Sequence, residues 1–233
     1  MGEIKFRSDM TVQLVNSMAD DNAVVMAARV STGATSGYDV VKDMGLINYL
    51  MRDRHGSPFE HNAFTFYIEA PIFVFREFMR HRIASYNEES GRYKELAPVF
   101  YYPNAERKLV QEGKPGAYTF VEGTPEQHAQ IQDAIVDTSE HAYAEYKWLL
   151  GNGIAREIAR SVLPVNIYSS MYVTMNARAL MNFLSLRTTH PDSKVPSFPQ
   201  REIEMVAEQM EKFFAEKMPV TYASFNHNGR VAP

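Results

Sequence analysis

The chain has 233 residues, 45% of them hydrophobic and 22% charged, with a formal net charge of −4 and no cysteine. These values suit one globular domain, or two small ones sharing a core, large enough to fold without covalent staples. They exclude disulfides, thiolate nucleophiles and cysteine-ligated metals, and the acidic balance opposes a chain wrapped in nucleic acid.

The first fifteen residues, MGEIKFRSDMTVQLV, contain no apolar core and no cleavage-like tripeptide, so no secretory signal is expected. A cytoplasmic protein is the expectation. Residues 12–15 suggest a short strand, and residues 20–29 a helix with apolar positions at helical spacing. Residues 31–37 (STGATSG) form a polar loop of small residues. Residues 39–54 read as an amphipathic helix with Val41, Met44, Leu46, Ile47, Leu50 and Met51 on its apolar positions. His55-Gly56-Ser57-Pro58 stops it. Residues 63–70 (AFTFYIEA) have the aromatic and β-branched content of a core strand. Pro71 is suited to begin a helix over residues 72–81, which would set Arg76 and Arg80 one turn apart on one face. The most apolar stretch, residues 70–79, contains Arg76 and Glu77 and is too short to span a bilayer.

Residues 84–93 are polar and read as a loop, residues 96–102 as a short strand, and residues 103–124 as a weakly structured surface insert. A long helix begins at Thr124, with Pro125 in its first position and Gln127 as the reciprocal capping partner. It ends near Gly151-Asn152-Gly153. A second helix, residues 154–163, stops at Pro164. Residues 168–175 alternate as a strand, residues 178–186 form a helix, residues 191–199 break the chain, and residues 200–217 form a final amphipathic helix. No repeat, low-complexity tract or inter-domain linker is apparent, so residues 1–233 are expected to form a single domain.

The chemistry concentrates in RHRIASYNEESGRY, running from Arg80 to Tyr93. Arginine presents a planar fork of donors matched to phosphate, carboxylate or heterocycle oxygens. Ser85, Asn87, Glu88 and Ser90 add short, directional hydrogen bonds. On composition alone, a surface loop with charge pairs and an anion-binding site both fit. Ser90 has no neighbouring pattern that marks a nucleophile. No H-E-x-x-H or other firm ligand spacing appears, so no metal site is expected.

This stretch resembles the signature of the flavin-dependent thymidylate synthases: R-H-R, two variable residues, S, one variable, N-E, one variable, S, one variable, R. Arg80, His81, Arg82, Ser85, Asn87, Glu88, Ser90 and Arg92 fill all eight fixed positions. The likeness extends to HGSPFEH from His55, to REIAR from Arg156 with Val162-Leu163-Pro164, and to Asn176-Ala177-Arg178, Leu180-Met181-Asn182 and Leu186-Arg187. No G-x-G-x-x-G follows a strand, which opposes a Rossmann flavin domain.

The resemblance implies an α+β fold, a central mostly antiparallel sheet flanked by helices, assembled as a homotetramer with sites between subunits. It implies reductive methylation of dUMP to dTMP with FAD, NADPH as reductant and 5,10-methylenetetrahydrofolate as carbon donor. FAD would be contacted by Ser31, Ser57, Glu60, Arg80, His81, Arg82, Ile83, Asn176, Arg178, Asn182 and His190. The nucleotide would be contacted by Glu77, Arg80, Glu88, Ser90, Gly91, Arg92, Arg160 and Arg187, with Arg92 and Arg160 on the phosphate. Arg187 would sit at the uracil edge and His55 near flavin and folate, and Ser90 would be a substrate ligand. The alternatives are a related flavoenzyme acting on another pyrimidine nucleotide and a nucleic-acid-binding module. Neither nucleic acid nor a membrane is an expected partner.

Overall fold

The computed structural model describes residues 3–33, 39–114 and 117–233. The loop expected at residues 31–37 therefore falls mostly outside the described residues. The chain forms two compact units: Met1–Met10, Glu69–Phe78 and Glu88–Met171 in the first, and Thr11–Ile68, Met79–Asn87 and Tyr172–Pro233 in the second. Its α+β architecture combines mixed sheets with flanking helices, as expected.

In the first unit, β1 (Lys5–Arg7) pairs in parallel with β5 (Val99–Tyr101). A helix, α3 (Ile72–Phe78), follows the strand that Pro71 closes. Helix α4 (Pro125–Gly151) spans roughly 40 Å at the standard rise. Its capping box is complete: Gln127 N–H donates to Thr124 Oγ1 at 3.2 Å, and Thr124 N–H donates to Gln127 Oε1 at 2.8 Å. Tyr143 and Tyr146 of α4 pack with Leu96, Phe100, Ala159 and Ile167 as the core. Tyr143 donates its hydroxyl to Leu96 O at 3.0 Å, which gives the buried oxygen a partner. The second helix predicted here is a short α5 (Arg156–Ala159) continued by a 3₁₀ turn, Arg160–Val162.

The second unit contains β2 (Thr11–Ser17), most of β3 (Phe64–Pro71), the second half of β8 (Tyr168–Met175) and most of β4 (Ser85–Glu88), in the sheet order β2-β3-β8-β4. Helix α7 (Arg201–Lys217) covers β3, with Phe214 edge-on to Phe64 at a ring separation of 6.1 Å. Helix α1 (Asp21–Arg29) is capped by Asp20, which accepts from Ala23 N–H at 2.6 Å. Helix α2 (Val40–Arg52) buries Ile47, Leu50 and Met51, but Met44, predicted to be apolar-facing, is exposed. The buried residue beside it is Asp43, which pairs with Arg29. Helix α6 (Ala177–Arg187) is capped by Asn176, which accepts from Ala179 N–H at 2.9 Å.

Four expectations are corrected. Helix α3 stops at Phe78, its last buried residue, so Arg80 does not continue its face. Residues 85–88 form edge strand β4 rather than loop. The insert contains an antiparallel hairpin, β6 (Val110–Lys114) with β7 (Ala117–Val121). Helix α7 is not the last: α8 (Pro219–His227) follows, its N-terminus capped by buried Asp21, which accepts from Val220 N–H at 2.9 Å and Thr221 N–H at 2.8 Å. Among the described residues, no helix is long and apolar enough to cross a membrane.

Candidate functional site

Much of the set assigned to the nucleotide lies in the first unit. A cavity of about 510 Å³ there is lined by Arg76, Glu88, Glu89, Gly91, Glu157 and Arg160, with Ile72, Leu96, Leu163, Pro164 and Ile167 as apolar wall. Such a mixture of apolar wall and a few convergent polar groups is the usual form of a small-molecule site. Arg160 reaches it from the 3₁₀ turn after α5. Gly91 is buried against Arg160, and a Cβ at that position would lie 3.2 Å from Arg160 Cδ and from Leu96 Cδ1. The glycine thus lets the signature turn approach the arginine.

Ser90 shapes that turn. Its hydroxyl accepts from Arg92 N–H at 3.3 Å, and its carbonyl accepts from Tyr93 N–H at 3.0 Å. Arg92 points to Glu157, its Nε 2.9 Å from the carboxylate. The pair is about half exposed on both sides, and such pairs contribute little stability, so an anionic ligand can draw Arg92 away. Partial burial lifts the Glu88 carboxyl above its ordinary range, with the charge of Glu89 adding and that of Arg160 opposing. The Ser169 side chain on the cavity wall is buried, lies close enough to Glu88 to oppose that rise, and makes no hydrogen bond of good geometry. Arg76, Glu89, Glu157 and Ser169 were not in the predicted set. Glu157 lies inside the REIAR segment, but no motif marks Ser169. Glu77, from the predicted set, sits half-buried on α3.

The second unit holds the residues assigned to FAD, together with Arg187, Arg80 and His55. Arg187 ends α6, and its Nε donates to His81 Nε2 at 3.0 Å. That bond requires a neutral imidazole. Burial, with the Arg187 charge adding, pushes the His81 pKa down to about 4. His81 also meets Phe183 of α6 edge-on, with ring centroids 4.8 Å apart. Two interactions therefore fix the ring. Arg80, Arg82 and Ile83 beside it are exposed, Ile83 by 72%.

Arg178, in the first turn of α6, donates from Nη1 to Glu60 Oε1 and from Nε to the backbone oxygen of Pro233, both at 2.5 Å. Gly56 is packed beneath, where a Cβ would lie 2.5 Å from Arg178 Cζ. The structure thus joins Glu60 with Arg178. Ser57 opens the 3₁₀ turn Ser57–Glu60, and Asn182 is exposed in the middle of α6. Asn176 serves as the α6 cap, so its side-chain oxygen has a structural task. His55 stacks on Tyr49 with centroids 5.5 Å apart. Ser31 bonds locally to Ala28 O at 2.8 Å, and His190 Nδ1 accepts from Asp192 N–H at 3.2 Å. Neither contact joins its residue to another of the assigned set.

The chemistry of this donor set fits a flavin dinucleotide. Arg80, Arg82 and Arg178 suit a pyrophosphate, Asn182 suits ring or ribose groups, and exposed Ile83 offers apolar surface to a planar ring.

The family model described as "Thymidylate synthase complementing protein" matches residues 13–220. The chain is 63% identical to the flavin-dependent thymidylate synthase of Streptomyces coelicolor, over 99% of this chain and 96% of the relative. It is 45% identical to that of Thermosipho africanus, over 96% and 93%. Among solved structures, the UMP/dUMP methylase PolB from Streptomyces cacaoi, bound with 5-Br UMP, superposes with a TM-score of 0.92 at 57% identity, covering 99% of both chains. The same protein bound with 5-Br dUMP gives 0.94. On the match to the family model and these near full-length relatives, the chain belongs to the flavin-dependent thymidylate synthase family of enzymes.

Proposed function

We propose that the protein converts dUMP to dTMP, with 5,10-methylenetetrahydrofolate as carbon donor and NADPH as reductant. The observation that carries this reading is the cavity in which Arg160, Gly91 and Glu88 converge beside buried Ser169. Its volume suits a nucleoside monophosphate, and Arg76 and Arg160 offer the donors for a phosphate among its three carboxylates. FAD, held by the flavin-assigned residues of the second unit, would supply the redox chemistry between NADPH and the nucleotide.

The residues of the chain bind and orient. Arg160 and Arg92 hold the phosphate, with Arg92 exchanging its Glu157 partner for the ligand. Glu88 and the Ser90–Gly91 turn set the sugar and base. Glu77 and Arg80 complete the nucleotide contacts. Arg187 stabilises negative charge that develops on the activated pyrimidine. Neutral His81 holds the Nε–H of Arg187 and thereby its guanidinium plane. Arg80, Arg82, Ile83, Arg178, Asn182, Ser57 and Glu60 form the flavin surface, with Ser31, Asn176 and His190 completing it. His55 attends the folate. Ser90 is read as a ligand rather than a nucleophile. We further propose a homotetramer in the cytoplasm, with sites completed between subunits and with no membrane or nucleic-acid partner.

A second reading, methylation of UMP, is favoured by one observation: a neighbour at 57% identity is a UMP/dUMP methylase bound with 5-Br UMP. One experiment separates the two. The purified protein is incubated with FAD, NADPH, methylenetetrahydrofolate and an equimolar mixture of dUMP and UMP, omitting each component in turn, and products are resolved by mass spectrometry. Thymidine monophosphate that forms only in the complete mixture supports the first reading. Predominant 5-methyluridine monophosphate would replace it with the second, and FAD binding without methylation of either would overturn both.

A further inference from the structure

We infer that the segment from Arg230 to Pro233 is a positioning strap for α6, holding the two ends of the helix that presents Arg178 and Arg187. The inference rests on the proposed roles of those two arginines. At the N-terminal end, Arg178 Nε donates to the backbone oxygen of Pro233 at 2.5 Å. Gly56 makes that contact possible: a Cβ there would lie 2.5 Å from Arg178 Nε and 2.8 Å from the same Pro233 oxygen. Arg178 is held on its other edge by Glu60, so its fork has a fixed direction.

At the C-terminal end, Arg230 Nη2 donates to Thr188 Oγ1 at 2.8 Å, and that hydroxyl donates to Leu184 O at 2.7 Å. Thr188 is the C-cap of α6, the residue after Arg187. Its carbonyl accepts from Ser197 Oγ at 2.6 Å, so the end of the helix is held from two sides. The Arg230 side chain has no solvent exposure. Glu211 Oε1 and Asn226 Oδ1 both accept from its Nη1 at 2.6 Å, and its guanidinium lies over the Phe225 ring. Its backbone is left-handed, φ 56°, a conformation unfavourable for arginine and kept only where surrounding contacts determine it. Ala232 and Pro233 are buried too. A tail needed only to cover the core could be apolar. This one places a buried cation on the helix cap next to Arg187 and a backbone acceptor on Arg178.

The strap is tested by cutting each end separately. One variant lacks residues 232–233. The other is the double substitution Arg230→Met with Glu211→Leu, which removes the buried ion pair without leaving either charge uncompensated. Backbone hydrogen exchange over residues 177–188 is followed without FAD, FAD affinity by flavin fluorescence, and kcat and KM with dUMP at saturating FAD. The shortened chain is expected to lose about tenfold in FAD affinity, with kcat within about twofold. The double variant is expected to lose about tenfold in kcat with FAD affinity within about twofold. Each should accelerate exchange at its own end of α6. Arg230→Lys, which keeps the charge but not the fork, should fall between wild type and the double variant. Unchanged exchange over 177–188, or both parameters falling together with the melting temperature, would overturn the strap. If the wild type binds FAD but forms no thymidylate, the proposed function fails while exchange and FAD affinity still decide the strap.

Discussion

The two units prepare their ligand groups in opposite ways. In the first, Glu88, Gly91 and Arg160 line an open cavity, and Arg92 is held loosely: its pair with Glu157 is half exposed. In the second, the arginines are held by fixed acceptors before any ligand arrives, Arg187 by His81 and Arg178 by Glu60 and Pro233. A phosphate is a mobile, multiply charged group that can pull exposed arginines into place. Charge that develops on a pyrimidine ring during reaction is weaker and short-lived, and a donor that must first reorient captures little of it. We propose that recruitment of the nucleotide phosphate rests on the first unit and preorganised charge on the second.

The largest test of that division is Arg187→Ala. If the second unit supplies preorganised charge, kcat should drop by roughly 10²–10³, as when one donor to a developing oxyanion is removed. FAD affinity should stay within a few-fold, read by flavin fluorescence. A KM effect alone would move Arg187 to the binding side and break the comparison.

Arg160→Ala is the matching test in the first unit. Loss of a charge-assisted contact of about 1.5–3 kcal/mol should raise the KM for the nucleotide roughly ten- to a hundredfold, with kcat little changed. Gly91→Ala should act in the same direction but more weakly, because the added methyl pushes Arg160 by only a few tenths of an ångström. Steady-state kinetics with dUMP as the varied substrate reads both. A change in kcat without KM would contradict a binding role for this cavity.

The sequence made local features legible and hid those fixed by distant partners. The Thr124 capping box, strand β8 and helix α6 follow from residues near one another in the chain, and they stand where the pattern placed them. Helix α8 did not announce itself, because its cap is Asp21, 199 residues away. Strand β4 reads as loop because it is a four-residue sheet edge with exposed Ser85 and Asn87, so no buried apolar alternation marks it. Asp43 interrupts the apolar pattern of α2, and its burial is explained by Arg29 from α1 together with the Asp39 N–H, which donates to its carboxylate at 2.6 Å. The candidate site divides the same way. The family resemblance named Glu88, Gly91 and Arg160, all of which reach one cavity, but Ser169 joins them only through the tertiary fold.

The smallest predicted effect concerns the acceptor behind Arg187. His81 has its pKa pushed down to about 4 from 6.5, chiefly by burial. As pH falls below the unfolded value, the unfolded chain takes up a proton at this position while the folded chain does not, so folding stability declines. The decline runs from about pH 6.5 to about 4, ends once the folded imidazole also protonates, and is absent at higher pH. Urea midpoints of the FAD-free protein should therefore fall over this window in wild type, and His81→Asn should flatten the curve by one titrating group. Asparagine can still accept from Arg187 Nε, so the variant should keep more activity at pH 7.5 than Arg187→Ala. Equal slopes in the two proteins would mean that His81 is not held neutral, and the preorganised character assigned to the second unit would lose its acceptor.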